Sequence, residues 1–362
     1  MKRYLHILQN EISKVSEDDL YTPIINTHID SLDLVVIRVA LEKYFSNEIS
    51  DIIWYKFKTL AEAIEYFHNN KEGIQGNIGI EKTPIRLSEN IEIRMPQMAN
   101  SALSENWLLK CLGDIHWQLI SKGFNMKSSD FKDDAGDRLY ATFVRVNYSI
   151  SPLNEFMENE IIEFSGNIEG FGNNSFISNI TANCDYKNIN AKLMTTFSIR
   201  ENGNNNKITK CVPKERCNQI GQLTTTPLFL NEYRLLKKGL LTNISTSFGE
   251  FSITDKPIFE SEYSINPYYD INGIGLLYFA SYPIIADNCF FDYYHNPKVF
   301  TTIYRDVFYF GNCNSTDKII FQLNSIDDRG DQLKSLISLF RKSDHQLLAR
   351  ILTVKQMAKK EF

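Results

Sequence analysis

The spacing of apolar residues changes character along this chain. In HILQNEISKV the apolar positions Ile7, Leu8, Ile12 and Val15 recur at helical intervals. A loop with Asp18, Asp19 and Pro23 follows. SLDLVVIRVALEKYF then places Leu32, Val35, Val36, Val39 and Phe45 on a helical period. TLAEAIEYFHNN carries the stripe Leu60, Ala63, Ile64 and Phe67, and Thr59 with Glu62 three residues on has capping-box spacing. Residues 1–70 therefore read as a small four-helix bundle.

The segment NKEGIQGNIGIEKTPIRLSEN, with three glycines and a proline, breaks the pattern and reads as a linker over 71–90. Beyond it, Leu108, Leu109, Leu112, Ile115, Leu119 and Ile120 mark a helix opened by Ser101 or Ser104. Alternation with period two then takes over in RLYATFVRVNYSI and IIEFSGNIEG, and SFISNITANCDY and KLMTTFSIR complete the set of predicted strands. After an Asn-rich polar break at 201–222 the order recurs. GIGLLYFASYPIIADNCFFDYYHN is followed by TIYRDVFYFG, KIIFQLNSI, SLISLFRKS and QLLARILTVKQ. A helix followed by antiparallel strands, twice over, points to an internal repeat. The expected organisation is a bundle at 1–70, a linker at 71–90, one α+β unit at 91–205, a connection at 206–230, and a second α+β unit at 231–362.

Composition narrows the partners. The 24 Phe and 18 Tyr suit strand-rich cores. The net charge of −5 comes with no basic tract, which argues against nucleic acid. Seven basic against eleven acidic residues in the first seventy concentrate the acidity there. No apolar run approaches the roughly 20 residues of a membrane-spanning helix. The charged start MKRYLHILQNEISKVSEDD lacks a signal-type apolar region. Six cysteines without a CxxC pair fit a reduced, cytoplasmic chain without structural zinc.

Several chemistries lack their residues. The six histidines show no HExxH spacing, and His116, on an amphipathic helix, reads as a packed or surface residue and not a catalytic one. GFGNNS and SFGEF lack the glycine spacing and lysine of a phosphate loop, and GFGNNS reads as a turn. There is no GxSxG elbow for a serine hydrolase. In NTHIDSLDLVV, Asp30 and Ser31 precede an apolar helix, where either oxygen can cap the first turn.

Residues 28–32, His-Ile-Asp-Ser-Leu, with the acidic helix that follows and the closing TLAEAIEYF, resemble an acyl carrier protein. That family bears phosphopantetheine on the serine of a Gly-x-Asp-Ser-Leu signature, and here His28 replaces the glycine. The resemblance implies a 4'-phosphopantetheine on Ser31, installed by a phosphopantetheinyl transferase. A helix start is electrostatically suited to the phosphate.

RMPQMANSALSENWLLKCLGDIHW, DRLYATFVRV, DINGIGLLYFASYP and YRDVFYFGNCNSTDKI resemble the bifunctional acyltransferase/decarboxylase family known from leinamycin biosynthesis, which has a double hot-dog fold. The implied fold is multidomain: a carrier bundle followed by an α+β double hot-dog domain. The implied reaction removes CO₂ from methylmalonyl-CoA or a related acyl-CoA and passes the acyl group to the carrier thiol, supplying polyketide synthase modules. By position in the motif Tyr140 is the acyl-carrying residue. Arg138, on the same strand face, is the candidate to lower its pKa, and the apolar wall of LLYFASYP would favour carboxylate loss. The helix start around Ser104 and Asn106 is the expected oxyanion donor. A hot-dog dehydratase or thioesterase acting on a carrier-bound chain, and a non-catalytic carrier-docking protein, are the alternatives. The His-x-x-x-Gly pattern of hot-dog dehydratases is missing from the first half.

Overall fold

The computed structural model describes residues 2–47, 49, 51–54, 56–70, 85–200, 204–215, 219–295 and 299–358. The N-terminal helices are α1 (Lys2–Glu11), α2 (Glu17–Tyr21), α3 (Ser31–Phe45), α4 (Asp51–Trp54) and α5 (Leu60–Asn69). Leu8, Leu20, Val36, Ile37, Leu41, Leu60, Ile64 and Phe67 interlock as their core, each at most 1% exposed. α1 ends at Glu11, so Val15 packs from the loop beyond it and not from a longer helix. Thr59 caps α5 by accepting the Glu62 N–H, while the Glu62 carboxylate accepts from Lys58 N at 2.6 Å. That second contact lies one residue earlier than a capping box places it.

The large domain begins with β1 (Arg86–Glu92), β2 (Met98–Ala99) and β3 (Ala102–Leu103), then α6 (Glu105–Phe124). Next come β4 (Tyr140–Ile150), β5 (Ile161–Phe171), β6 (Ser175–Cys184), β7 (Lys187–Arg200), β8 (Ile208–Lys210) and β9 (Gly221–Gln222). α7 (Leu228–Lys237) and the hairpin β10 (Asn243–Thr246) with β11 (Gly249–Ser252) separate these from the second half. That half comprises β12 (Phe259–Ser264), α8 (Ser281–Tyr293), β13 (Phe300–Tyr309), β14 (Lys318–Asp328), β15 (Gln332–Arg341) and β16 (Leu347–Met357). Of the expected linker, residues 71–84 lie outside the described residues. Its end is strand and not linker: β1 starts at Arg86 and pairs with β5. The expected connection likewise contains β8, β9 and the start of α7.

One sheet runs in the order β1-β5-β6-β7-β4-β13-β16-β15-β14-β12, so the second half mirrors the first about the β4–β13 pair. Val146 pairs with Val307 at this join. The register of β4 on β7 shifts after Phe143, and that of β13 on β16 shifts after Thr302, so both inner strands carry an irregularity near their start. α6 and α8 pack on one face of the sheet, each with an edge strand before it and four long strands after it. GFGNNS forms the turn between β5 and β6, with Gly172 at φ +63°.

The other face is covered too. Val144, Phe171, Met194, Phe308, Leu352 and Val354 point outward and join one apolar cluster with α7, the β10–β11 hairpin and the N-terminal helices. β13 is consequently buried along nearly its whole length, with no polar face for solvent.

Candidate active site

A cavity of about 830 Å³ opens where the middle of α6, the start of β4, the end of β13 and the loop leading into α8 converge. α6 presents Lys110, Gly113, Asp114, Trp117 and Ser121 to it, one helical face at three- and four-residue steps. Gly113 is there because nothing larger fits: a Cβ would lie 2.6 Å from the Phe279 ring. Phe279 in turn stacks on Phe143, with ring centres 3.9 Å apart. Leu276, Leu277, Tyr278 and Tyr282 complete the apolar wall expected of LLYFASYP.

Tyr140 opens β4 and lines this cavity, half-buried. The Arg138 guanidinium stands 5.5 Å from its ring centre and Arg200, at the end of β7, 5.7 Å. Two residues along the strand, the Thr142 hydroxyl is buried without a hydrogen-bond partner, and the Asn206 side-chain oxygen is in the same condition. Asp114 is the one carboxylate of a described residue in the lining. It accepts from Gln118 Nε2 at 2.8 Å. Burial, and then the Asp114 charge, push the Tyr278 phenol above its ordinary pKa. Carboxylate, hydroxyls and unpartnered polar atoms inside an apolar wall suit a polar reacting group on an apolar chain.

The helix start at Ser104 and Asn106 lies elsewhere. Ser104 is the N-cap of α6, its Oγ accepting from Trp107 N at 3.4 Å, and neither residue lines the cavity. Between them in the sequence, Glu105 is bound to Arg305 of β13. The cavity takes Lys110 to Ser121 from the middle of α6, so this helix start stands apart from it. His116 is a packing residue, as the sequence suggested. Its two ring nitrogens meet Ser178 Oγ and Thr195 Oγ1, each at 2.7 Å, and burial pushes its pKa down to about 3. Among the described residues no three His, Cys, Asp or Glu side chains gather as a metal site.

The position related to the cavity by the sheet's mirror order is filled by charge. Arg305, fully buried, donates to Glu105 Oε1 at 2.7 Å and to Asp287 Oδ2 at 2.7 Å. Lys355 holds the other Asp287 oxygen at 3.0 Å, and Tyr148 and Thr302 donate to Glu105. The helix start of α6 here takes the place that the approach to α8 takes at the cavity.

The N-terminal helices reach the cavity rim. α3 is capped by Asp30, whose Oδ1 accepts from Leu32 N and Asp33 N at 2.8 Å each, leaving Ser31 as the first helical residue. Capping thus falls to Asp30. Opposite, α7 presents Arg234, Lys237 and Lys238 on one face. Arg234 Nη2 meets Asp33 Oδ1 at 2.6 Å, Lys238 Nζ meets Asp33 Oδ2 at 2.6 Å, and Lys237 Nζ meets Asp30 Oδ2 at 3.3 Å. Burial alone would raise the Asp30 pKa, but Lys237, the Asp33 N–H and Lys210 draw it below its ordinary value. Lys210 and Lys237 both line the cavity. Sequence reading missed Asp114, Lys210 and α7. The available signals were the polar Asp114 beside Gly113 within an apolar helix stripe, and the Arg-x-x-Lys-Lys spacing at 234–238.

No protein-family model and no curated protein sequence matches the chain. Solved structures do. An acyl-ACP thioesterase from Bacteroides thetaiotaomicron superposes with a TM-score of 0.51 at 10% identity, over 75% of this chain and 98% of that one. A protein named as an oleoyl thioesterase from Lactobacillus plantarum gives 0.55 at 11% identity, over 78% and 100%. The 12:0-ACP thioesterase of Umbellularia californica gives 0.50 at 9%, over 76% and 95%. At such identities the likeness is one of fold. The large domain has the hot-dog fold.

Proposed function

We propose that the chain is an enzyme acting on acyl thioesters, which it receives on a phosphopantetheine arm at Ser31 of its own N-terminal domain. The observation that carries this reading is the ion-paired seating of the α3 start against a cavity rim that Lys237 shares. An arm on Ser31 would start beside the cavity, which raises its effective concentration there. The acyl-ACP substrates named for two of the structural neighbours are in keeping with this.

The cavity suits thioester hydrolysis. Asp114 draws the proton from a water whose oxygen attacks the thioester carbonyl, and Tyr140 and Thr142 donate to the oxygen that becomes negative. The carbon–sulfur bond then breaks, the acid leaves, and the arm sulfur takes the proton back from Asp114. One observation favours a second reading, decarboxylating acyl transfer. Tyr140 faces the cavity under two guanidiniums that could hold a malonyl-type carboxylate. In that reaction the phenol oxygen attacks the thioester carbonyl, the carbon–sulfur bond breaks and the departing thiolate takes the phenol proton. The tyrosyl ester then loses CO₂, and the enolate takes a proton from water. The arm thiol attacks the ester, its proton returning to the phenolate.

The test loads the full chain with octanoyl- or methylmalonyl-phosphopantetheine from the matching CoA thioester, using a broad-specificity transferase, and follows intact mass. Return to the unacylated arm mass, abolished by Asp114→Asn, is the expected outcome. Loss of CO₂ with the acyl group retained, abolished by Tyr140→Phe, selects the second reading. Acyl groups that stay unchanged overturn both, and failure of Ser31 to gain an arm removes the carrier.

A further inference from the structure

Charge at the cavity mouth does not balance. Four cations, Lys210, Arg234, Lys237 and Lys238, surround two carboxylates, Asp30 and Asp33. Glu232, on the same helix as three of those cations, is committed to Arg145. Two of the four have buried donors to spare. The Lys210 Nζ is buried with no hydrogen-bond partner. Arg234, 4% exposed, uses Nε and Nη2 on Asp33, at 2.9 and 2.6 Å, and its buried Nη1 has no partner either. Burial pushes the Lys210 pKa down to about 7, against which the Asp30 charge pulls only partly. A buried donor left unmade is costly, and two such donors around the same Asp30–Asp33 pair amount to a prepared anion site.

Its place identifies the anion. β8 is held to β7 with Lys210 opposite Ser198, which sets the lysine in the cavity wall. Asp30, whose charge Lys210 senses, directly precedes Ser31. We propose that Lys210, Arg234 and Lys237 form a phosphate-ester site at the cavity mouth, taking either the phosphodiester of an arm on Ser31 or a phosphate of coenzyme A. The tethered source rests on the carrier reading above; the coenzyme A source does not. With the phosphate seated here, the arm that follows it is directed inward, between Tyr140 and α6, instead of into solvent.

The test uses the full chain with and without the arm, and Lys210→Met in each. The ³¹P resonance of the armed parent is expected to be shifted and broadened relative to armed Lys210→Met, whose line matches a freely exposed phosphodiester. For the free source, coenzyme A is titrated into the unarmed chain; binding at least tenfold weaker in Lys210→Met supports the site. Either positive result upholds it, and the two together tell the sources apart. Unarmed Lys210→Met is also expected to melt above the parent, because it removes a buried amine whose hydrogen bonds are unmade; a lower melting temperature would assign Lys210 a packing role and overturn the proposal. So would identical phosphorus spectra and identical coenzyme A binding in parent and variant. If Ser31 takes no arm, the carrier reading fails while the coenzyme A titration still decides this site.

Discussion

Replacing Arg305 with methionine tests how the charge-filled side of the sheet is held. The side chain is 0% exposed and makes hydrogen bonds to Glu105, Asp287, Thr302 and Thr353. Removing one member of a buried pair typically costs about 3–5 kcal/mol, because the partner keeps its charge without its counter-ion. Here each carboxylate retains something: Asp287 keeps Lys355 at 3.0 Å, and Glu105 keeps the Tyr148 and Thr302 hydroxyls. The expected loss is therefore near the lower limit, about 3 kcal/mol, or roughly a hundredfold in the folding equilibrium. Urea unfolding at pH 7, followed by tryptophan fluorescence, reads it as a lower midpoint with unchanged slope. The triple variant Glu105→Gln, Arg305→Met, Asp287→Asn removes all three charges and is expected to recover most of the loss. A single variant within about 0.5 kcal/mol of the parent, the range of ordinary surface changes, would refute the reasoning. So would a triple variant as unstable as the single one.

Four further outcomes follow from the same structure. Burial would raise the Asp287 pKa, yet Arg305 and Lys355 hold it down to about 2. Its contribution is full above the unfolded value near 3.9 and is lost as pH falls towards 2, so the gap between parent and Arg305→Met should narrow over that window in acid unfolding curves. His116, neutral in the fold with its pKa pushed down to about 3, titrates near 6.5 when unfolded. Stability should thus fall from pH 6.5 towards 3, and His116→Gln should flatten that limb. Gly113→Ala drives a methyl against Phe279, and an overpacking cost of about 1–3 kcal/mol should appear in thermal melts, together with reduced turnover of long acyl chains. Asp33→Ala strands the buried Arg234, and hydrogen exchange in α3 and α7 should accelerate together if the ion pairs hold these elements against each other.

Legibility in the sequence followed the strength of periodicity. α3 and α5 were readable because each has a polar cap ahead of a clear apolar stripe, and the eight long strands because they are rich in β-branched and aromatic residues, with alternation clear in β5 and absent from the doubly buried β13. β1 escaped because RLSENIE is an edge strand with only Leu87 and Ile91 to pack inward. α7 escaped because its stripe, Phe229, Leu230, Tyr233 and Leu236, follows a polar stretch that reads as connection. Tyr140 was chosen through motif likeness, and it lies in the cavity wall. Ser104 and Asn106 were chosen for their helix start alone, and periodicity cannot say at which height along a helix a cavity opens. Lys210 had no local signal at all, since its importance comes from Asp30, 180 positions earlier in the chain.

Two hot-dog halves joined in one polypeptide are released from a constraint that binds a symmetric pair of identical subunits. In such a pair every substitution appears on both sides, so a cluster like Glu105–Arg305–Asp287 could not close one pocket without closing its twin. Covalent fusion lets the two sides specialise. One is filled by the Glu105–Arg305–Asp287 cluster, and the other keeps an open chamber with the start of α3 ion-paired at its rim.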